Sequence, residues 1–147
     1  MLLWCEQFET GHALIDAQHK MLITYINRLE GLSSRLNPDA EVLRFLEFME
    51  HYAAVHFAHE EGCMENHRCP ASTENKAAHR EFMLLFQQFR QRFKTEGCGA
   101  GLLQELHDAC AVWIREHILR VDNQIRPCLL VPPPGSSQST QFRASAP

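Results

Sequence analysis

Side chains that bind transition metals recur at helical spacing in this 147-residue chain. They fall on apolar seams with alternating steps of three and four residues, at positions where a core side chain is expected. These residues are His19, His56, Glu60, His79 and His117. Burying imidazoles and a carboxylate without partners costs free energy, and a metal supplies a partner for all of them. Imidazole combined with carboxylate suits iron and related transition metals.

Two carboxylates could bridge a pair of metal ions at this layer. Glu60 lies four residues after His56, so the two side chains point the same way from one helix. Asp122 lies five residues after His117, off the strict seam, and reaches inward only if the last turn of its helix bends or tightens. A single seam histidine is more often a hydrogen-bonded core residue, so only their joint placement favours a metal site.

Four amphipathic segments must position these residues. The periodicity predicts helices at about 15–34, 38–67, 73–95 and 102–125, with short connections between them. Short connections make neighbouring helices antiparallel, so the sequence predicts an all-α, up-down-up-down four-helix bundle. In this topology the starts of the first and third helices meet the ends of the second and fourth. The polar seam residues then converge on one layer at one end of the bundle.

Composition and charge limit the remaining interpretation. The net charge is −4 with Lys and Arg scattered, so no nucleic-acid surface is expected. No apolar run is long enough to cross a membrane, and no signal peptide is recognisable, so a cytoplasmic location is predicted. The six cysteines form no CxxC pair and are expected to be free thiols. Residues 1–127 are predicted to form one domain, followed by a disordered Pro- and Ser-rich tail at 128–147.

The other histidines are expected to be solvated, because they lie off the seams or in loops. They are His12, His51, His59, His67 and His107. Two cysteines, Cys63 and Cys110, are expected to complete the seams of the second and fourth helices.

Four segments of the chain resemble the bacterial hemerythrin-like domain, or bacteriohemerythrin. The first comprises Trp4, Gly11 and the run Ile15-Asp16-Ala17-Gln18-His19, and the second is His56-Phe57-Ala58-His59-Glu60-Glu61. The third extends from Met64 to Pro70 and on to His79-Arg80-Glu81-Phe82, and the fourth is Trp113-Ile114-Arg115-Glu116-His117-Ile118 with Asp122. The resemblance covers about residues 4–126, and the combined spacing is highly specific.

The resemblance implies a site with two iron ions and a role for each residue. In the family, five histidines and two bridging carboxylates hold the pair. If these roles are carried over to the matching residues of this chain, His19 and His56 would hold the iron with the open position, and His79 and His117 would hold the other iron. Glu60 and Asp122 would bridge them. Dioxygen would bind at the open iron, within an apolar pocket.

The chain departs from the family at one ligand position. The family has a further histidine four residues before the position of His79, and Asn75 stands there in this chain. An amide oxygen is a weaker donor to iron than an imidazole nitrogen. Asn75 could instead cap the start of the third helix, a role that asparagine favours. His12 is not expected to replace the missing ligand, because it lies two turns from His19.

Three functions follow from these observations. The first is reversible dioxygen binding by a non-heme di-iron protein that is not an enzyme, acting as a carrier, store or sensor. The second is a di-iron peroxidase or a protein that handles nitric oxide, with an opened coordination position near Asn75. The third is a metal-binding bundle without gas chemistry. A ferritin-like site is disfavoured, because the only Glu-x-x-His spacing, Glu9 to His12, precedes the first helix.

Overall fold

The computed structural model describes residues 1–32 and 38–130, and this part of the chain is helical. Four long helices are α1 (Ala13–Arg28), α2 (Pro38–Asn66), α3 (Ser72–Glu96) and α4 (Ala100–Arg120), followed by the short α5 (Ile125–Leu129). Single 3-10 turns occupy Glu6–Phe8, Leu29–Gly31 and Asp122–Gln124. No strand occurs in the described ranges, and none of their helices is long and apolar enough to cross a membrane.

The long helices form an antiparallel bundle in which each packs against its neighbours in sequence, and α4 closes against α1. Two side-chain contacts between α2 and α3 give the direction. Arg90 Nη1 lies 2.5 Å from Glu50 Oε2 at one end of the pair, and His79 Nδ1 lies 2.8 Å from Glu61 Oε1 toward the other. The partners therefore run in opposite directions along the two helices. The predicted all-α, up-down-up-down four-helix bundle is confirmed.

The core follows the predicted seams, with a drift along the long helix α2. The aromatic seam of α3, including Phe82, is buried as predicted. At the end of α2, however, Met64 is fully buried and Cys63 is only half-buried, so the prediction for Cys63 was wrong by one residue. A straight α-helix has 3.6 residues per turn, so the buried face moves by about 20° for every seven residues relative to a strict heptad seam. Over the 29 residues of α2 this shift adds up. Cys110 is buried as predicted.

A disulfide joins Cys69, in the connection between α2 and α3, to Cys128 in α5. Their Cα atoms are 5.5 Å apart, and both side chains belong to a small apolar cluster with Ile15, Met64 and Ile125. The prediction that all six cysteines are free thiols was therefore wrong for this pair. The folded part also continues beyond the predicted boundary at 127, because α5 ends at Leu129. Residues 131–147 of the predicted disordered tail lie outside the described residues.

Replacing Cys128 with serine is expected to lower the free energy of unfolding by about 2–4 kcal/mol, because the bridge closes a long loop in the unfolded chain. The two cysteines are 59 residues apart. Denaturant unfolding in the absence of reductant measures the loss. Cys98→Ser, at a half-buried free cysteine, is the control and should leave the midpoint unchanged. A wild-type protein that titrates with six free thiols would contradict the bridge.

Candidate metal centre

The six predicted ligand residues meet in one buried layer of the bundle. Each long helix contributes at least one of them, and the 3-10 turn after α4 contributes the last. Each has at most 5% of its surface exposed: His19, His56, Glu60, His79, His117 and Asp122. The sequence periodicity predicted that side chains from four helices would meet. In the structure all six residues lie in this layer.

The donor atoms form two groups that share one carboxylate. His19, His56 and Glu60 form the first group, and Glu60, His79, His117 and Asp122 form the second. Within each group, one nitrogen or oxygen atom per residue lies within 4.8 Å of all the others. Such overlap is what a pair of ions with a common carboxylate requires.

Each carboxylate lies between histidines of the two groups, and Glu60 Oε2 faces both His79 and, at 4.0 Å, His56 Nε2. Asp122 Oδ2 lies 3.3 Å from His19 Nε2, and Asp122 Oδ1 lies 3.0 Å from His117 Nε2. Glu60 Oε1 lies 3.8 Å from His19 Nε2, whereas Glu60 Oε2 lies 3.3 Å from His79 Nε2. Both Glu60 and Asp122 are therefore placed to bridge.

Asp122 reaches the layer because the backbone tightens after α4. The helix ends at Arg120, the N–H of Val121 donates to the carbonyl of His117, and a 3-10 turn begins at Asp122. Asp122 is fully buried. An uninterrupted α-helix would place a residue five positions after His117 well off the seam. The structure thus has the tightened turn that the sequence required for an inward Asp122.

Two further side chains orient the imidazoles. His79 Nδ1 lies 2.8 Å from Glu61 Oε1, and His56 Nδ1 lies 3.1 Å from Gln18 Oε1. Each contact leaves the Nε2 atom free to face the centre, which is how outer partners fix metal-binding histidines. No role for Gln18 was predicted from the sequence, because its partner lies on another helix. Its position next to His19 was the only available signal.

Burial and neighbouring charges set the protonation of the layer. Burial, followed by the charge of His19, lowers the pKa of His56 well below its ordinary value. Burial acts to raise the pKa of Asp122, but the charges of His117 and His19 beside it outweigh burial and hold that pKa far below its ordinary value. Burial and the charge of Asp122 raise the pKa of Glu60. These shifts favour the neutral form of His56 and the ionised form of Asp122, the forms in which each binds a metal.

Several polar atoms in the layer lack a hydrogen bond to any described residue. They include both ring nitrogens of His19, both carboxylate oxygens of Asp122, and Glu60 Oε1. Buried polar groups are nearly always satisfied, so a cluster of unsatisfied atoms indicates a missing partner. Nitrogen and oxygen donors of this kind fit divalent or trivalent iron. The residues present therefore fit a metal pair.

Asn75 is part of this layer and does not cap its helix. α3 begins three residues earlier, at Ser72, and Asn75 is fully buried. Its Nδ2 lies 3.5 Å from Glu60 Oε2 and 3.1 Å from Met64 Sδ, while its Oδ1 has no hydrogen-bond partner in the described ranges. The capping interpretation is therefore wrong, and the amide reaches inward beside His79.

The remaining histidines are less solvated than predicted. Only His51 is exposed, and His12, His59 and His67 are half-buried. His107 is buried, with its Nε2 3.1 Å from Glu30 Oε1 and its Nδ1 2.9 Å from Asp108 Oδ1. The prediction for His107 was wrong because Glu30 approaches it from another part of the chain.

Comparison with known proteins identifies the family. Residues 10–129 match the model of the hemerythrin HHE cation binding domain. The chain belongs to the hemerythrin family. It is 30% identical over 121 residues to a bacteriohemerythrin of Pseudomonas aeruginosa, covering 82% of this chain and 76% of that protein. It is 26% identical to a bacteriohemerythrin of Clostridium acetobutylicum (84% and 98% covered) and to a myohemerythrin of Sipunculus nudus (82% and 87% covered).

A solved structure of wild-type hemerythrin has the same fold. The TM-score is 0.79 at 23% sequence identity, over 89% of this chain and 99% of that one. The predicted resemblance to a bacterial hemerythrin-like domain is thus confirmed. Hemerythrins are non-heme iron, oxygen-binding proteins with a di-iron centre, and this member contains clustered His, Glu and Asp candidates for such a centre.

Proposed function

We propose that the chain binds dioxygen reversibly at a di-iron centre, as a carrier, store or sensor. In this proposal His19 and His56 hold one iron, His79 and His117 hold the other, and Glu60 and Asp122 bridge them. The observation that carries it is the bridging geometry, because Asp122 directs one oxygen to His19 and the other to His117. Two bound irons would supply the electrons that reversible dioxygen binding requires.

The surroundings of the layer favour binding over release of reactive oxygen. Phe57 packs against His56 with ring centroids 5.6 Å apart, and it also stacks on His79 at 3.8 Å. Ala53, three residues before His56 on the same helix, is fully buried. Apolar neighbours exclude water and so limit proton delivery to the bound gas. Gln18 and Glu61 hold His56 and His79 with Nε2 toward the centre.

One observation favours a second function. Each side of the layer has two imidazoles, because Asn75 occupies the position where the family resemblance implies a fifth histidine. The iron beside His79 would then also lack a ligand, and an open position on each iron suits turnover of peroxide or nitric oxide. This di-iron enzyme is the alternative proposal. The predicted cytoplasmic location and the absence of a nucleic-acid partner stay predictions.

An anaerobic reduction and air-exposure cycle tests the main proposal against the alternative. Reversible binding predicts an oxygen-dependent charge-transfer absorption band that disappears when oxygen is removed and returns over repeated cycles. Irreversible oxidation after one exposure, together with sustained consumption of added hydrogen peroxide, would favour the enzyme. An iron-loaded protein with neither response would reject both.

Removing the metal is expected to lower the melting temperature by about 10 °C. Iron held at a hundred times its Kd contributes about 3 kcal/mol, and each kcal/mol is worth about 3–4 °C for a domain of this size. Chelation under reducing conditions followed by thermal unfolding measures the shift, and re-addition of ferrous iron should reverse it. A melting temperature that chelation leaves unchanged would contradict a metal bound by the polar atoms of this layer that lack hydrogen bonds.

A further inference from the structure

The disulfide between Cys69 and Cys128 belongs to an apolar cluster next to the metal layer. The other buried members of this cluster are Ile15, Met64, Ala71 and Ile125. Each of them lies three or four residues along the chain, about one helical turn, from a residue of the layer. Met64 Sδ also lies 3.1 Å from the amide nitrogen of Asn75. The cluster therefore closes the bundle beside the metal pair, and the disulfide ties two of its segments together.

The backbone carbonyl of Gln124 connects the two sulfur atoms to the turn that places Asp122. Its oxygen lies 3.4 Å from Cys69 Sγ and 3.3 Å from Cys128 Sγ. Gln124 is the last residue of the 3-10 turn that begins at Asp122, and its N–H donates to the carbonyl of Val121. A change in the bond between the two sulfurs therefore acts on backbone two residues from the carboxylate that faces both histidine groups.

One of the two sulfurs is accessible to a reductant. Cys128 lines an open cavity of about 660 Å³, whereas Cys69 is not part of its wall. Arg68 and His67 also line this cavity, and no carboxylate is among its lining residues. Thiol–disulfide exchange begins when a thiolate, which is an anion, attacks one sulfur of the bond. A cavity without negative side chains beside Cys128 suits that approach.

We propose that Cys69 and Cys128 form a reversible redox site, at which a dithiol reductant breaks the disulfide and loosens the turn that holds Asp122. A thiolate of the dithiol attacks Cys128 Sγ, the bond between the cysteines breaks, and Cys69 leaves as a thiolate that takes up a proton. The second thiol of the reductant then displaces Cys128, which also takes up a proton. The dithiol has become a disulfide, and two electrons and two protons have passed to the protein. The reverse exchange restores the bond.

The bundle does not need to unfold for this change. After reduction, each thiol has the carbonyl of Gln124 within reach as a hydrogen-bond acceptor. The helix α5 has only five residues, and so short a helix depends on its packing for stability. Without the bridge it separates more readily from the α2–α3 connection, and the adjoining turn at Asp122 becomes less fixed. The effect on iron rests on the metal pair of the proposed function, and not on dioxygen binding.

Iron release from the disulfide and the dithiol forms tests the effect on the metal layer. The iron-loaded protein is treated with dithiothreitol, which is removed under nitrogen, and a ferrous chelator is then added to both forms. Thiol titration should give six free thiols in the dithiol form and four in the disulfide form. We expect iron to leave the dithiol form at least about tenfold faster, because groups that orient a metal ligand contribute about 10–100-fold to affinity.

Amide hydrogen exchange followed by mass spectrometry measures the turn directly and does not require iron. Exchange in residues 121–129, which include the turn and α5, should be faster in the dithiol form. Peptides around Phe86, in the buried centre of α3, are the internal control and should not change. If the chain holds no iron, the proposed di-iron function fails, and this exchange measurement still decides the proposal for the redox site.

Two variants assign the response to this pair of cysteines. The double variant Cys69→Ser, Cys128→Ser should match the dithiol form of the wild type and should not respond to dithiothreitol. Cys98→Ser is the matched control at a half-buried free cysteine outside the cluster, and it should respond as the wild type does. Circular dichroism checks the fold, and if the double variant does not fold, the dithiol form of the wild type supplies the comparison.

Any of four results would overturn the proposal. The first is a wild type that keeps four free thiols at every dithiothreitol concentration at which it stays folded. The second is amide exchange in residues 121–129 that reduction leaves unchanged. The third is iron release that reduction does not accelerate in protein loaded with two irons. The fourth is a response to dithiothreitol that persists in the double variant, which would assign it to other cysteines.

Discussion

Replacing His56 with alanine is expected to abolish the oxygen-dependent absorption band while leaving a folded bundle. His56 is one of only two imidazoles on its side of the layer, and its Nε2 lies 4.0 Å from Glu60 Oε2. Loss of partners that only orient a ligand already costs about 10–100-fold in metal affinity, so loss of the ligand itself should cost at least that much. Iron analysis and optical spectra after air exposure measure both effects.

His51→Ala is the matched control for this substitution. His51 lies on the same helix as His56 but is exposed to solvent. The control should retain the iron content, the absorption band and the melting temperature of the wild type. A His56→Ala protein with a normal, reversible band would place the gas-binding iron on the side of His79. Circular dichroism separates loss of the site from loss of the fold.

Replacing Asn75 with histidine is expected to strengthen iron binding on the side of His79 and to slow oxidation of the oxygenated protein. Asn75 is fully buried and four residues before His79, with its amide nitrogen 3.5 Å from Glu60 Oε2. An imidazole at this position would add a nitrogen donor to an iron that otherwise has two. We expect the second iron to survive dialysis against chelator about tenfold longer than in the wild type.

Asn75→Leu serves as the control, because it fills similar space without a donor atom. It should not slow oxidation, and it loses the contacts of the amide nitrogen with Glu60 and Met64. If Asn75→His changes neither iron retention nor the oxidation rate, Asn75 has no effect on the metal pair. If the wild type turns over peroxide and Asn75→His suppresses this activity, the enzyme alternative gains support.

The seams alone were enough to predict the fold and to bring five of the six residues into one layer. The helical period of 3.6 residues determines which side chains face the core, so polar residues at these otherwise apolar positions are easy to recognise. His19, His79 and His117 were therefore visible in the sequence, and each is buried in the structure. Asp122 was not visible as a seam residue, because its burial depends on a change from α-helix to 3-10 turn after Arg120.

Several of the residues that were mispredicted depend on contacts between distant segments. The bond between Cys69 and Cys128 requires α5 to fold back against the α2–α3 connection. Buried His107 contacts Glu30, which precedes it by 77 residues in the chain, and Gln18 on α1 contacts His56 on α2. The period and spacing of residues within one helix carry no information on contacts between different segments, so these contacts could not be predicted from a single sequence.

The iron content of the freshly purified chain tests the central claim most directly. The bridging positions of Glu60 and Asp122 predict two iron ions per chain in the wild type. The double variant Glu60→Gln, Asp122→Asn should retain none, because neither amide replaces a bridging carboxylate. A wild type that binds at most one metal ion per chain even with excess ferrous iron present, or a double variant that still holds two irons, would contradict a carboxylate-bridged pair at this layer.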